Sequence, residues 1–182
     1  RNLVPRMGLD RFLEAVAKAR KTIPELDVLI GGEGYLRGEL EKQIGALSLR
    51  DHVRLVGYIP DVDLPRYYQA ADLFVLPTAS LEGFGLIMLE SLACGTPVLG
   101  TPVGAIHEIL DRVDRSLVFP SADSEAMAVG ICDFRERMAS GYELFRSRCA
   151  EVAASTYSWE SIVDRLETLM AGLIEQRTKR GD

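Results

Sequence analysis

Residues 78–97 read TASLEGFGLIMLESLACGTP, and the punctuation of this stretch decides the fold. Ahead of it, Leu73–Leu76 is a short apolar run stopped by Pro77, the pattern of a buried strand. Small polar residues, Glu82, Gly83 and Gly85 then make a turn, and an apolar helix is expected from about Leu86 to Cys94, ended by Gly95 and Pro97. A glycine-bearing turn thus feeds a helix N-terminus just past the carboxyl end of a strand. In an open parallel sheet that is where ligands bind, and free amides with the positive end of a helix dipole suit a phosphate.

Two carboxylates bracket the feature, Glu82 in the turn and Glu90 in the helix. If all the intervening residues were helical, they would be ~12 Å apart along the axis and rotated by about 80°, on one side of a cleft. Leu86, Ile87, Leu89, Leu92 and Ala93 leave Glu90 almost no polar face, so it is expected to be buried and to need a partner, because an unpaired buried carboxylate costs several kcal/mol. Ligand hydroxyls would serve, and so would an Arg of this chain. Glu82 alone could simply favour the helix dipole. Together with the glycines and the strand, the two point to a ligand site.

Outward from this centre, helix and strand alternate, which predicts an α/β fold with a doubly wound parallel sheet flanked by helices, Rossmann-like. Helices are expected at Leu9–Lys21, Tyr35–Leu47, Asp63–Ala70 and Ala105–Leu110. Strands are expected at Leu26–Ile30, Val53–Val56, Leu73–Leu76 and Val98–Leu99, with a weak one at Leu117–Phe119. Helices fill the rest, at Ser124–Ala139, Tyr142–Ser155 and Trp159–Gln176, with Lys179–Asp182 frayed. Trp159 reads as fixing an amphipathic last helix to the core.

The composition is that of a globular domain. The chain has 182 residues, 47% of them apolar, a net charge of -6 and no run near the length of a membrane span. The acidic balance disfavours a nucleic-acid partner. Cys94, Cys132 and Cys149 lack metal-ligand spacing and are odd in number, which points to reduced thiols. Gly32-x-Gly34-x-x places Arg37 where a dinucleotide fingerprint needs a third glycine, so an NAD site is rejected. Asp61 and Asp63 fall at a helix start, where Asp caps, rather than forming a metal pair. His52 and His107 have no nucleophile in a recognisable arrangement, so no hydrolase triad is supported.

The motif E-G-F-G-L-x-x-L-E-S-L-A-C-G-T-P-V, Glu82 to Val98, resembles the donor-site signature of retaining glycosyltransferases of the glycogen-synthase and mannosyltransferase type (family four), which have the two-domain GT-B fold. The resemblance runs from Leu3 to about Trp159, and T-P-V-G-A-I-H-E at Thr101–Glu108 fits it too. It implies that residues 1–182 are the C-terminal, nucleotide-sugar donor-binding domain of a longer enzyme, with terminal helices at 142–177, without its N-terminal acceptor domain and with its first strand cut short, leaving a raw sheet edge. It implies sugar transfer with retained configuration, no cofactor and no metal. Partners would be a nucleotide sugar and, through the other domain, a glycan or lipid acceptor. The location would be cytoplasmic, with any contact to the inner face of a membrane made by the other domain. On this reading the isolated domain binds weakly and does not turn over.

Carried onto these positions, the resemblance makes Glu82 the catalytic candidate, holding the donor sugar's hydroxyls. Gly83, Phe84, Gly85 and Leu86 offer amides to sugar and phosphate, and Glu90 takes the ribose hydroxyls. Ile59 sits against the base with Tyr58 beside it, unless that turn is only a strand exit stiffened by Pro60. Gly32 and Gly34 let backbone approach the nucleotide, or form a plain turn. The family's diphosphate-binding Arg and Lys align with Asn2 and Met7 here, a departure that leaves Arg1 and Arg6 either to reach the phosphates or to remain solvated charges. An inactive nucleotide-sugar binding module and a sugar-nucleotide epimerase remain the alternatives.

Overall fold

A computed structural model describes residues 2–180; Arg1 and residues 181–182, and with them the Arg1 phosphate candidate and the end of the expected frayed tail, lie outside the described residues. The strands are β1 (Val28–Gly31), β2 (Val53–Gly57), β3 (Phe74–Leu76) and β4 (Val98–Gly100). The helices are α1 (Leu9–Ala19), α2 (Arg37–Ala46), α3 (Leu64–Ala70), α4 (Leu86–Ala93), α5 (Ile106–Val113), α6 (Ser124–Met138), α7 (Tyr142–Tyr157) and α8 (Trp159–Arg180). This is the expected Rossmann-like α/β architecture, parallel sheet flanked by helices, with β1 paired to β2 and β3 paired to β4.

Each element follows local chemistry. Gly8 takes φ +66° so that a 3-10 turn at Pro5–Met7 can break into α1, whose Phe12, Leu13, Ala15, Val16 and Ala19 face the core. That face packs on α6, which starts where the Asp123 carboxylate accepts the amides of Glu125 and Ala126, both at 2.9 Å. The β3–β4 half is the drier one: Leu76, Val98 and Leu99 are buried among Met88, Leu92, Ile106 and Leu110. Cys149 on α7 is buried there too, and burial pushes its thiol up to about 12.

The sheet departs from expectation in one respect: it comes in two halves. The amides of Val28 and Gly32 donate to His52 (2.8 Å) and Gly57 (2.7 Å), so even-numbered residues of β1 turn toward β2 and Leu29 turns away. On β3 the Phe74 amide donates to Pro97 and the Leu76 carbonyl accepts from Thr101, so Val75 turns away from β4. One segment meets both outward edges: the Leu3 amide donates to Glu33 (2.7 Å), and the Arg6 carbonyl accepts from Ala79 (2.8 Å). The open sheet edge therefore lies between the halves rather than at the rim.

Two further expectations are corrected. Leu117–Phe119 is no strand; a 3-10 turn at Arg115–Leu117 leads to a single bridge, Val118 with Gly100. Trp159 is not in the core but 80% exposed. It opens an outward apolar stripe on α8 that includes Leu166, Leu169, Met170 and Leu173, because α8 packs on α7 alone among the closely contacting elements.

Candidate functional site

The turn after β3 is pinned from three sides. From the first segment, the Arg6 carbonyl accepts the amides of Ala79 (2.8 Å) and Ser80 (3.4 Å), while its guanidinium Nη1 donates to the Leu81 carbonyl at 3.2 Å. From below, Thr101 Oγ1 donates to the Thr78 carbonyl at 2.6 Å. From the β4 side, the loop at Gly104 lies so close that a Cβ there would sit 1.7 Å from the Glu82 carbonyl oxygen. So held, the exposed Leu81 adopts φ +59°, a conformation that non-glycine residues rarely take.

The turn then opens. Gly83 has nothing within 4 Å of where a Cβ would be. Gly85, at φ +77°, is the N-cap of α4, and no side chain caps that helix. As a glycine, the N-cap offers the first amides of α4 no side-chain acceptor, and these amides lie beside Phe84 and Leu86, both exposed. Phe84 is steadied by an edge contact with Tyr157, ring centres 6.1 Å apart. A helix N-terminus in this state accepts an anion readily.

The two carboxylates take opposite places from those their neighbours suggest. Glu82, in the turn, is the buried one at 8% exposure. Glu90 is exposed. The inward direction of α4 is set by Met88, Ser91 and Leu92, and at about 100° per residue Glu90 points away from all three. Within the chain, the side chain that meets Glu90 is a tyrosine rather than the Arg that was one expectation. The Tyr68 hydroxyl on α3 donates to Glu90 Oε2 at 3.0 Å. Tyr68 is buried, stands edge-on to Phe74 with centres 5.4 Å apart, and its carbonyl accepts Thr96 Oγ1 at 2.6 Å. One turn along, burial and then the Glu90 charge raise the Cys94 thiol above its usual range.

The other expected contacts divide. Ile59 lies over Gly31, where a Cβ would come 2.6 Å from its Cδ1, and Tyr58 stands exposed beside it. At Gly34 the missing side chain makes room for the backbone of Leu3, 2.4 to 2.8 Å from a would-be Cβ. Gly32 continues the β1–β2 ladder through its amide to Gly57. Met7, at the position of the family's Lys, has its side chain buried in the core. Asn2 is exposed and bridged to Glu33. Arg6 is thus the described base at the turn. Asp63 precedes α3 but makes no cap bond; its carboxylate meets Arg66 at 3.9 Å. His107 and Glu108 are both exposed on α5. Tyr68 is the residue that spacing could not reveal, since its 22-residue separation from Glu90 has no local signature.

Two recesses of the surface, around Arg37 and Arg50 and around Phe119 and Phe134, include no residue of the 78–90 stretch. The candidate site is an open face.

Known proteins resemble this chain in sequence and in fold. A sequence profile described as "Glycosyl transferases group 1" matches residues 1–140. The chain is 30% identical to a GDP-mannose-dependent alpha-(1-6)-phosphatidylinositol monomannoside mannosyltransferase of Mycolicibacterium smegmatis, covering 96% of this chain and 47% of that protein. It is 30% identical to alpha-D-kanosaminyltransferase of Streptomyces kanamyceticus, covering 87% and 41%. Among solved structures, Anabaena HepE in complex with UDP superposes with a TM-score of 0.81 at 20% identity, over 94% of this chain and 47% of that one. The chain thus spans about half the length of the relatives it matches.

Proposed function

This chain belongs to the group 1 glycosyl transferases, and we propose that it supplies the nucleotide-sugar site of a retaining one. The observation that carries the reading is the 78–90 stretch. A buried Glu82, a turn opening at Gly83, a glycine N-cap and an exposed, oriented Glu90 follow one another along the chain. In this reading the diphosphate lies on the α4 amides, where the negative charge that grows on it as the glycosidic bond breaks meets the positive end of the helix. Arg6, already at the Leu81 carbonyl, adds a positive charge. Glu90 accepts the ribose hydroxyls, Glu82 holds the donor sugar, and Ile59 and Tyr58 flank the base. UDP in the HepE structure is in keeping with such a ligand.

In a longer chain the open face would be closed by an acceptor-binding domain, and the exposed apolar stripe of α8 would be covered by it. A preceding parallel strand would enter between β1 and β3, where Leu29 and Val75 turn outward. The enzyme would act in the cytoplasm on a glycan or lipid acceptor.

Calorimetric titration with UDP, GDP and ADP tests the site. One nucleotide should bind, and Glu90→Ala should weaken it on the order of tenfold to a hundredfold, the worth of charge-assisted hydrogen bonds to two hydroxyls. Binding that ignores the substitution would sink the assignment.

A further inference from the structure

We propose that Tyr68 is a positioning residue for ribose recognition, holding the Glu90 carboxylate ready for two neighbouring hydroxyls. The inference rests on the reading of Glu90 given above. An exposed glutamate on a helix samples several rotamers, and ordering it on binding costs affinity. Here one oxygen is already held, 3.0 Å from the Tyr68 hydroxyl.

The holder is itself fixed. Tyr68 is buried, its ring stands at 88° to Phe74 of β3, and its carbonyl is bonded by Thr96 at the approach to β4. The phenol position is thereby referred to the ends of both strands of the β3–β4 half. The same helix, α3, begins just after the Tyr58–Ile59 turn, and the Leu64 amide donates to the Pro60 carbonyl at 3.2 Å. One short element therefore links the turn assigned to the base with the carboxylate assigned to the ribose.

The hydrogen-bond inventory fits. An ionised carboxylate has about four acceptor directions. The phenol occupies one on Oε2, which leaves room for both vicinal hydroxyls. The phenol donates to Glu90, so it takes none of the donors that a diol brings. A Tyr serving only the core would do so through its ring, and a Phe would replace it.

The test separates these roles. Tyr68→Phe keeps the ring against Phe74 and the backbone bond from Thr96 while removing the hydroxyl. The unaltered chain is titrated with UDP, GDP and ADP, and the tightest is compared with its 2′-deoxy counterpart. The ribonucleotide should bind on the order of tenfold more tightly. In Tyr68→Phe its affinity should fall roughly fivefold to tenfold, with little change for the deoxy form, so that the preference shrinks. In a Glu90→Ala background, Tyr68→Phe should have no further effect on the ratio. An unchanged ratio, or equal loss for both nucleotides, overturns the positioning role and leaves the donor-site reading standing. Failure of the unaltered chain to bind any of the three nucleotides overturns both.

Discussion

Two glycine-bearing turns, each following a strand and leading into a helix, are used in opposite ways. In the Gly31–Gly34 turn the space is spent inside the protein: Ile59 lies over Gly31, the Gly32 amide bonds Gly57, and Leu3 backbone fills the place of a Gly34 side chain. In the Glu82–Leu86 turn, Gly83 faces open space and Gly85 provides a left-handed N-cap without covering the helix amides. Two turns of similar composition thus serve packing in one case and stay open in the other, where the proposed anion would lie. Glycine content alone does not distinguish them; what approaches the glycine does.

Substitutions at three glycines break or sharpen this contrast. Gly34→Ala should be the most damaging, costing about 3 kcal/mol in a denaturant titration, because the new methyl meets rigid backbone rather than a movable side chain. Wild-type stability in that variant would break the claim that the first turn is filled. Gly85→Ala should cost about 1 kcal/mol, since its neighbours stand at ordinary contact distances of 3.5 to 3.8 Å and only the left-handed conformation penalises it. Gly83→Ala should leave stability within about 0.5 kcal/mol, yet weaken nucleotide binding on the order of tenfold by placing a methyl in the open space assigned to the ligand. Should Gly83→Ala bind as the parent does, the second turn is no more a ligand site than the first.

Much of the fold was legible because its signals are local. Pro77 ends a strand, Gly95 and Pro97 end a helix, and the apolar runs between them alternate as strand and helix. The site was legible in part. The Gly83–Gly85 turn and the α4 N-terminus stand where the pattern puts them. Glu90 was misjudged because an apolar neighbourhood in sequence was taken for an apolar one in space; the buried side of α4 is set by what packs on it. Met7 likewise could not be placed from its neighbours in sequence. An alignment position says nothing about which way a side chain turns, and the 3-10 turn at Pro5–Met7 sends this one inward. The missing weak strand shows the same limit, since Val118 makes a single bridge and no ladder.

The sequence by itself determined the order of strands and helices, the glycine turn at a strand's carboxyl end, and the presence there of two carboxylates with no excess of basic charge. These depend on residue-scale preferences: ring closure at proline, freedom at glycine, and the period of apolar side chains. Tertiary structure alone decided which carboxylate is buried, which glycines have room to spare, that the sheet parts between β1 and β3, and that Glu90 is held by Tyr68. Each of those depends on contacts between residues far apart in the chain, whose distances the order of residues does not encode locally. Only packing the helices onto the strands brings them together.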